Sequence, residues 1–423
     1  MTVIQSFILK LKTHYQDKLY KNSYFYLLTT VITSISSFVF WIIATRVYPS
    51  DEVGVATALI SSITLVSGFS TLGLNWAIIR FLPNEENKTN MINSCLVITV
   101  LASFILSLFF ILGIRFFSPA LMYINENLII LVSLIVFTIF LSLTEFQKRI
   151  FLSFRRADYA FFQSIINSLL KIIIVFFVLS FGAIGIFFAW GVSSIVAVIF
   201  SMLFLLPLLI KGYFFSLGIN KKIIEKLIHF SFGNYIAENL WALPRNVLPL
   251  IIISLLSAQS TAYFYISWSI ANTIYLIPFV ISSSLLVEGS FSDENIPKLT
   301  KKSIKFNFVL LLPLIFLSLL FGKFILSFFG EEYAFNAFFL FSILVLASIP
   351  LSFVELYVAI LRIKKDVFSI IFYYGIIALV TIVGSYLLLP MLGIIGIGVS
   401  WFFAQSICAV IQLVQLFRHS DLV

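Results

Sequence analysis

Charge is scarce in this chain. Only 11% of its 423 residues are Asp, Glu, Lys or Arg, whereas a soluble domain carries roughly 25%. Such a sequence cannot cover a water-soluble fold of this size. Cysteine is nearly absent as well. Cys95 and Cys408 both lie in apolar runs, which argues against a disulfide framework or a cysteine-based zinc cluster. There are three histidines, His14, His229 and His419, all outside the apolar runs. The sequence has no D-x-D pair and no Gly-rich phosphate loop followed by Lys, so nucleotide-dependent and histidine-based acid–base chemistry find little support.

What the chain does have is apolar length: 61% of its residues are hydrophobic and the mean hydropathy is +1.11. A helical span needs about 20 apolar residues. Runs of that kind fall near 23–45, 53–79, 93–114, 128–147, 159–181 and 183–210. A second set falls near 232–256, 261–287, 306–329, 335–361, 367–389 and 392–417. The expected fold class is an all-α membrane protein of about twelve transmembrane helices, with no large soluble domain. The first run is too long for a cleavable signal and lacks an A-x-A-like end, so it reads as an uncleaved span.

The basic residues fix the expected orientation. With the N-terminus inside, one side of the membrane holds Lys10, Lys12, Lys18, Lys21, Arg80, Lys88, Lys148, Arg149, Arg155, Arg156, Lys211, Lys221, Lys222 and Lys226. The same side holds Lys298, Lys301, Lys302, Lys305, Arg362, Lys364, Lys365 and Arg418. The other side keeps Arg46, Arg115 and Lys323. Positive charge resists translocation, so both termini are expected in the cytoplasm of a cell-membrane protein. The same scatter explains the net charge of +9 without invoking nucleic acid.

The boundaries expected from this pattern are a basic N-terminus (1–22), spans one to six (23–210), a basic connector (211–231), spans seven to twelve (232–417) and a short tail (418–423). Within the connector, residues 221–230 read as a surface helix, with Lys222 and Lys226 opposite Ile223, Ile224, Leu227 and Ile228. Phe181-Gly182-Ala183-Ile184-Gly185-Ile186, followed by Trp190, parallels Leu392-Gly393-Ile394-Ile395-Gly396-Ile397, followed by Trp401. The offset between them is about half the chain. A true repeat of six spans would relate two lobes by a pseudo-two-fold axis along the membrane normal. Two similar tight turns are the plainer reading.

Residues 23–83 contain Phe40-Trp41, Asp51-Glu52-Val53-Gly54-Val55-Ala56, Leu72-Gly73-Leu74 and Arg80-Phe81-Leu82-Pro83, and Phe230-Ser231-Phe232-Gly233 joins the halves. With these stretches the chain resembles the polysaccharide (O-antigen) flippases of the multidrug/oligosaccharidyl-lipid/polysaccharide exporter superfamily. The likeness in topology covers nearly the whole chain, on short motifs. It implies two six-helix lobes around a central cavity that opens alternately inward and outward. The implied cargo is a lipid-linked oligosaccharide diphosphate, as in lipopolysaccharide assembly, moved from the cytoplasmic to the outer leaflet.

A charge at mid-bilayer costs roughly 2.5–3.5 kcal/mol on insertion scales, so each one needs a reason. Asn234, Glu238, Trp241 and Arg245 share one face of span seven by their spacing, beside Pro244 and Pro249. They read either as a substrate stripe, with Arg245 on phosphate and Glu238 carrying a proton, or as a buried Glu–Arg pair that pins the helix. Lys171 reads as a cavity-lining cation or as the partner of an acid on another span. Glu355 is a candidate for ion coupling, by H+ or Na+, or for a structural hydrogen bond. Glu145 reads as a solvated helix end. Of the tryptophans, mostly interfacial anchors, Trp241 and Trp268 are candidates for stacking on sugar.

A drug/cation antiporter of the same architecture would favour acidic cavity residues, whereas Lys171 and Arg245 here balance Glu238 and Glu355. An enzyme acting on lipid-linked glycans would need a long outer loop or paired catalytic groups, and the outer connectors are short. The expectation is a monomeric transporter, not an enzyme, in contact with membrane lipids and without a cofactor or metal.

Overall fold

The computed structural model describes residues 18–290 and 296–418. Lys10, Lys12, His14, His419 and the tail beyond Arg418 lie outside the described residues. Among the described residues there is no strand, and twelve helices are long and apolar enough to cross a membrane. This is the all-α, twelve-span protein the sequence predicts. In hydrocarbon every backbone group must be satisfied within its own segment, which leaves the helix as the solution for runs of this composition.

Side chains at the span ends satisfy amides that helices leave open. Asn127 accepts from the amides of Ile129 and Ile130, and Ser257 accepts from Ser260. Asp366 accepts from the Ser369 hydroxyl and amide, and those bonds hold its carboxyl below the usual carboxylate range.

The helices recur along the chain. Span four (Leu128–Ser153) and span ten (Phe338–Ile363) have equal length, with starts 210 residues apart. Span five (Ala157–Phe177) and span eleven (Val367–Leu392) start at the same interval. The turns between these pairs repeat atom for atom. The amides of Arg155 and Arg156 bond to Leu152 and Phe151, and those of Lys365 and Asp366 bond to Arg362 and Leu361. Both Arg155 and Lys365 take a positive φ. Gly182 and Gly393 take φ of 55° and 58° in the next turns, a conformation glycine adopts without steric penalty. The repeat is thus carried by whole helices as well as by two turns.

Three expected elements differ. The run 53–79 is broken: one helix ends at Ser70 and the next begins at Leu74, because Gly73 sits at φ 76°. A Cβ at Gly73 would lie 2.9 Å from Ser231 Oγ, and the Tyr235 hydroxyl donates to the Phe69 carbonyl released by the break (2.9 Å). The expected surface helix 221–230 is no separate element. It opens the span-seven helix, Lys221–Leu255, which runs through Pro244 and Pro249. Its apolar face enters a protein core, with Ile224 and Leu227 packed among Leu74, Ile78, Met91 and Phe151. Span nine starts at Ile296 rather than near 306, since helix continues past the apolar run through Lys298, Lys301, Lys302 and Lys305.

The chain forms two compact units. Among the described residues the first comprises 18–40, 66–113 and 123–235, and the second 41–65, 114–122, 236–290 and 296–418. In the first, span four packs on span three (Lys88–Leu112), span five and span six (Leu179–Leu209). In the second, span eight (Ala258–Gly289) packs on spans nine and ten, and span twelve (Ile395–Arg418) on ten and eleven.

Candidate functional site

The first unit holds an open-sided cavity of about 200 Å³, lined largely by polar side chains, among spans one, four, five and six. Span five supplies Ser164, Asn167, Ser168 and Lys171, at spacings of three, one and three that place them on one helical face. Lys171 is only 7% exposed. Its ammonium lies 3.9 Å from the Trp190 ring centroid and 5.1 Å from that of Phe40, in the range of cation–π attraction. Among the described residues it has no carboxylate partner, so the reading of Lys171 as half of an ion pair is replaced by one in which aromatic rings hold the charge. Span four adds Glu145 and Lys148, which pair at 2.8 Å at the cavity edge. Asn167 is fixed from span six: the Ser193 hydroxyl donates to its carbonyl (3.1 Å) and its amide donates to Ser194 (3.3 Å).

In the second unit the sequence-chosen Trp241, Trp268 and Glu355 come together around Trp401. The Trp401 ring lies 4.8 Å from Trp268 and 5.8 Å from Trp241. Its indole N–H donates to the Tyr275 hydroxyl (3.1 Å), which donates to the Leu344 carbonyl (2.6 Å). Trp241 also meets Tyr374 at 4.9 Å, and the Tyr374 hydroxyl donates to Glu355 Oε1 (3.1 Å). Glu355 is 3% exposed and Trp268 6%. Trp268 is therefore packed inside this cluster, while Trp241 is half-buried.

Asn234 and Arg245 are exposed on the span-seven helix, and Glu238 between them is half-buried. Arg245 lies within electrostatic reach of Tyr265, whose ring packs on Trp41 at 4.9 Å. Arg245 is thus open on one side, a position from which a guanidinium can meet a ligand or a neighbouring carboxylate. Among the described residues no three His, Cys, Asp or Glu side chains come together to hold a metal.

The family model for "Polysaccharide biosynthesis protein" matches residues 19–291, well over half of the chain. The chain belongs to that family. A comparison with curated protein sequences finds no match. Solved structures do match over nearly the full length. Lipid II flippase MurJ in an inward closed conformation is 17% identical at TM-score 0.75, covering 92% of this chain and 87% of that one. The inward-facing conformation of a multidrug resistance MATE family transporter of the MOP superfamily is 14% identical at TM-score 0.71, covering 92% and 95%. A MOP superfamily transporter from Pyrococcus furiosus, described by the reverse polarity of its binding pocket, is 14% identical at TM-score 0.56, covering 96% of each chain. This member of the polysaccharide biosynthesis family thus has the fold of the MOP superfamily.

Sequence reasoning picked out Lys171 but missed the residues around it. Ser164, Asn167 and Ser168 carried a signal, a polar face at helical spacing in an apolar span. Lys148 falls just past the apolar run that stops at 147, while the helix continues to Ser153, and Glu145, expected as a solvated helix end, lines the cavity edge. Trp190 and Trp401 stand out in the sequence only as matching positions of the repeat, which says nothing of the side chains they meet.

Proposed function

We propose that this chain is a transporter, not an enzyme, that moves a lipid-linked oligosaccharide diphosphate from the cytoplasmic to the outer leaflet of the cell membrane by alternating access. Both termini lie in the cytoplasm in this reading, and the two lobes divide at the connector 211–231. The observation that carries it is the polar cavity holding the buried Lys171 inside a twelve-span protein of the polysaccharide biosynthesis family. A buried cation at membrane depth is costly, and a route for an anionic, hydroxyl-rich cargo gives it a use. MurJ, of the same fold, is described as a lipid II flippase, a precedent for lipid-linked cargo.

Arg245 is the proposed diphosphate anchor. It is exposed on span seven, and its planar fork grips phosphate oxygens in two places where lysine offers a point charge. Asn234 and Trp241 extend the same helical face toward the sugar. Glu238 and Glu355 are the proposed coupling positions for H+ or Na+.

Arg245→Ala is expected to abolish surface glycan while the protein reaches the membrane in normal amount, and Arg245→Lys is expected to keep part of the export. Measuring protein level and surface glycan in both variants, and in Arg245→Ala combined with Glu238→Gln, tests this. Restoration of export by the double change would show that Arg245 serves only to balance Glu238.

A further inference from the structure

The cavity of the first unit has a charge balance that selects its ligand. Glu145 and Lys148 neutralise one another at 2.8 Å. Lys171 then has no carboxylate partner among the described residues and, when protonated, adds one positive charge that nothing in the cavity balances. The rings of Trp190 and Phe40 attract its charge but leave its three N–H donors mostly unused. Ser164 lines the same space, is 3% exposed, and its hydroxyl has no hydrogen-bond partner among the described residues. A buried polar atom without a partner asks for a water or a ligand. The volume of about 200 Å³ has room for one sugar ring.

We infer that this cavity binds a single acidic sugar unit, with its carboxylate on Lys171 and its hydroxyls on Ser164 and Asn167. The inference rests on the glycan-transport reading above and narrows it to a cargo containing a hexuronate-like residue. One net positive charge matches a monoanion. A diphosphate would bring more negative charge than the cavity balances, in keeping with its separate assignment to Arg245.

The test uses the purified full-length protein in detergent, titrated by calorimetry with methyl glucuronide, methyl glucoside and inorganic phosphate. The expected result is saturable binding of the glucuronide, about tenfold tighter than the glucoside, as a charge-assisted hydrogen bond predicts. Lys171→Met should erase that preference, and Lys171→Arg should retain most of it. Melting temperatures of both variants, close to that of the parent protein, would show that the fold is kept. Equal affinity for acid and neutral sugar, no binding of either, or an unchanged preference in Lys171→Met would overturn the inference. Phosphate displacing the glucuronide at lower concentration would overturn it too, in favour of a phosphate site. Failure here with Arg245-dependent export intact leaves the transport reading standing, whereas loss of that dependence with glucuronide binding intact removes the transport reading alone.

Discussion

Among the described residues two charged side chains are buried, Lys171 and Glu355, and they are held in different ways. Lys171 rests on aromatic faces, while Glu355 accepts a hydrogen bond from Tyr374. A carboxylate with a hydroxyl donor keeps an acceptor geometry that an amide oxygen can reproduce. Glu355→Gln should therefore insert and fold normally, and it should flatten the pH dependence of transport if Glu355 carries the proton. An unchanged pH profile in both Glu355→Gln and Glu238→Gln would remove ion coupling through these positions. Trp268 calls for a different measurement. It is packed on Trp401 and Phe264, so Trp268→Ala is expected to cost about 3–5 kcal/mol, the usual range for deleting a core aromatic. That loss would appear as a lower melting temperature in detergent. A variant that melts like the parent protein but fails to export would restore the sugar-stacking role for Trp268.

At the scale of elements, two close contacts carry predictions. A Cβ on Gly54 would lie 1.6 Å from the Ala258 carbonyl oxygen, and backbone cannot yield by that much. Gly54→Ala should push the start of span eight off span two (Ser50–Ser70) and lower the amount of folded protein, read by size-exclusion chromatography; a normal profile would show that this close approach is not required. Beside it, Glu332 Oε2 accepts from Ser50 (3.1 Å), Gln259 (3.3 Å) and Tyr263 (3.1 Å), and Arg46 donates to the carbonyls of Ser327 and Phe328. Glu332→Ala removes the common acceptor of three donors. A cysteine placed at the buried Thr261 should then react faster with a thiol reagent in purified protein. An unchanged rate would mean that Glu332 does not pin these helix ends together.

Much of this level was legible in the sequence. Length and apolarity alone set twelve spans, because a bilayer offers few alternatives to helix. The repeat was legible at Gly182 and Gly393, where backbone geometry demands glycine. The break at Gly73 and the union of residues 221–230 with span seven were not. Both depend on partners distant in sequence: Tyr235 satisfies the broken end, and the core around Leu74 takes in Ile224 and Leu227. The candidate site divides in the same way. Lys171 and Glu355 stood out as charges in apolar runs, while the residues that surround them were ordinary serines, asparagines and aromatics.

For the molecule as a whole, the placement of lysine and arginine predicts which ends face the cytoplasm. Cysteines at the exposed Ser257 and Glu331 should react with an impermeant thiol reagent on intact cells, and those at the exposed Arg155 and Lys301 should not. Labelling at Arg155 from outside would reverse the orientation. The central claim, transport of a lipid-linked glycan, is tested most directly in proteoliposomes loaded with a polyprenyl-diphosphate oligosaccharide. The fraction of glycan that becomes accessible on the opposite leaflet is measured against time with the unmodified protein and with Arg245→Ala. The account predicts a protein-dependent rate that falls to the protein-free background in Arg245→Ala. A rate no faster than that of empty liposomes with the unmodified protein, or one unaffected by Arg245→Ala, would contradict it.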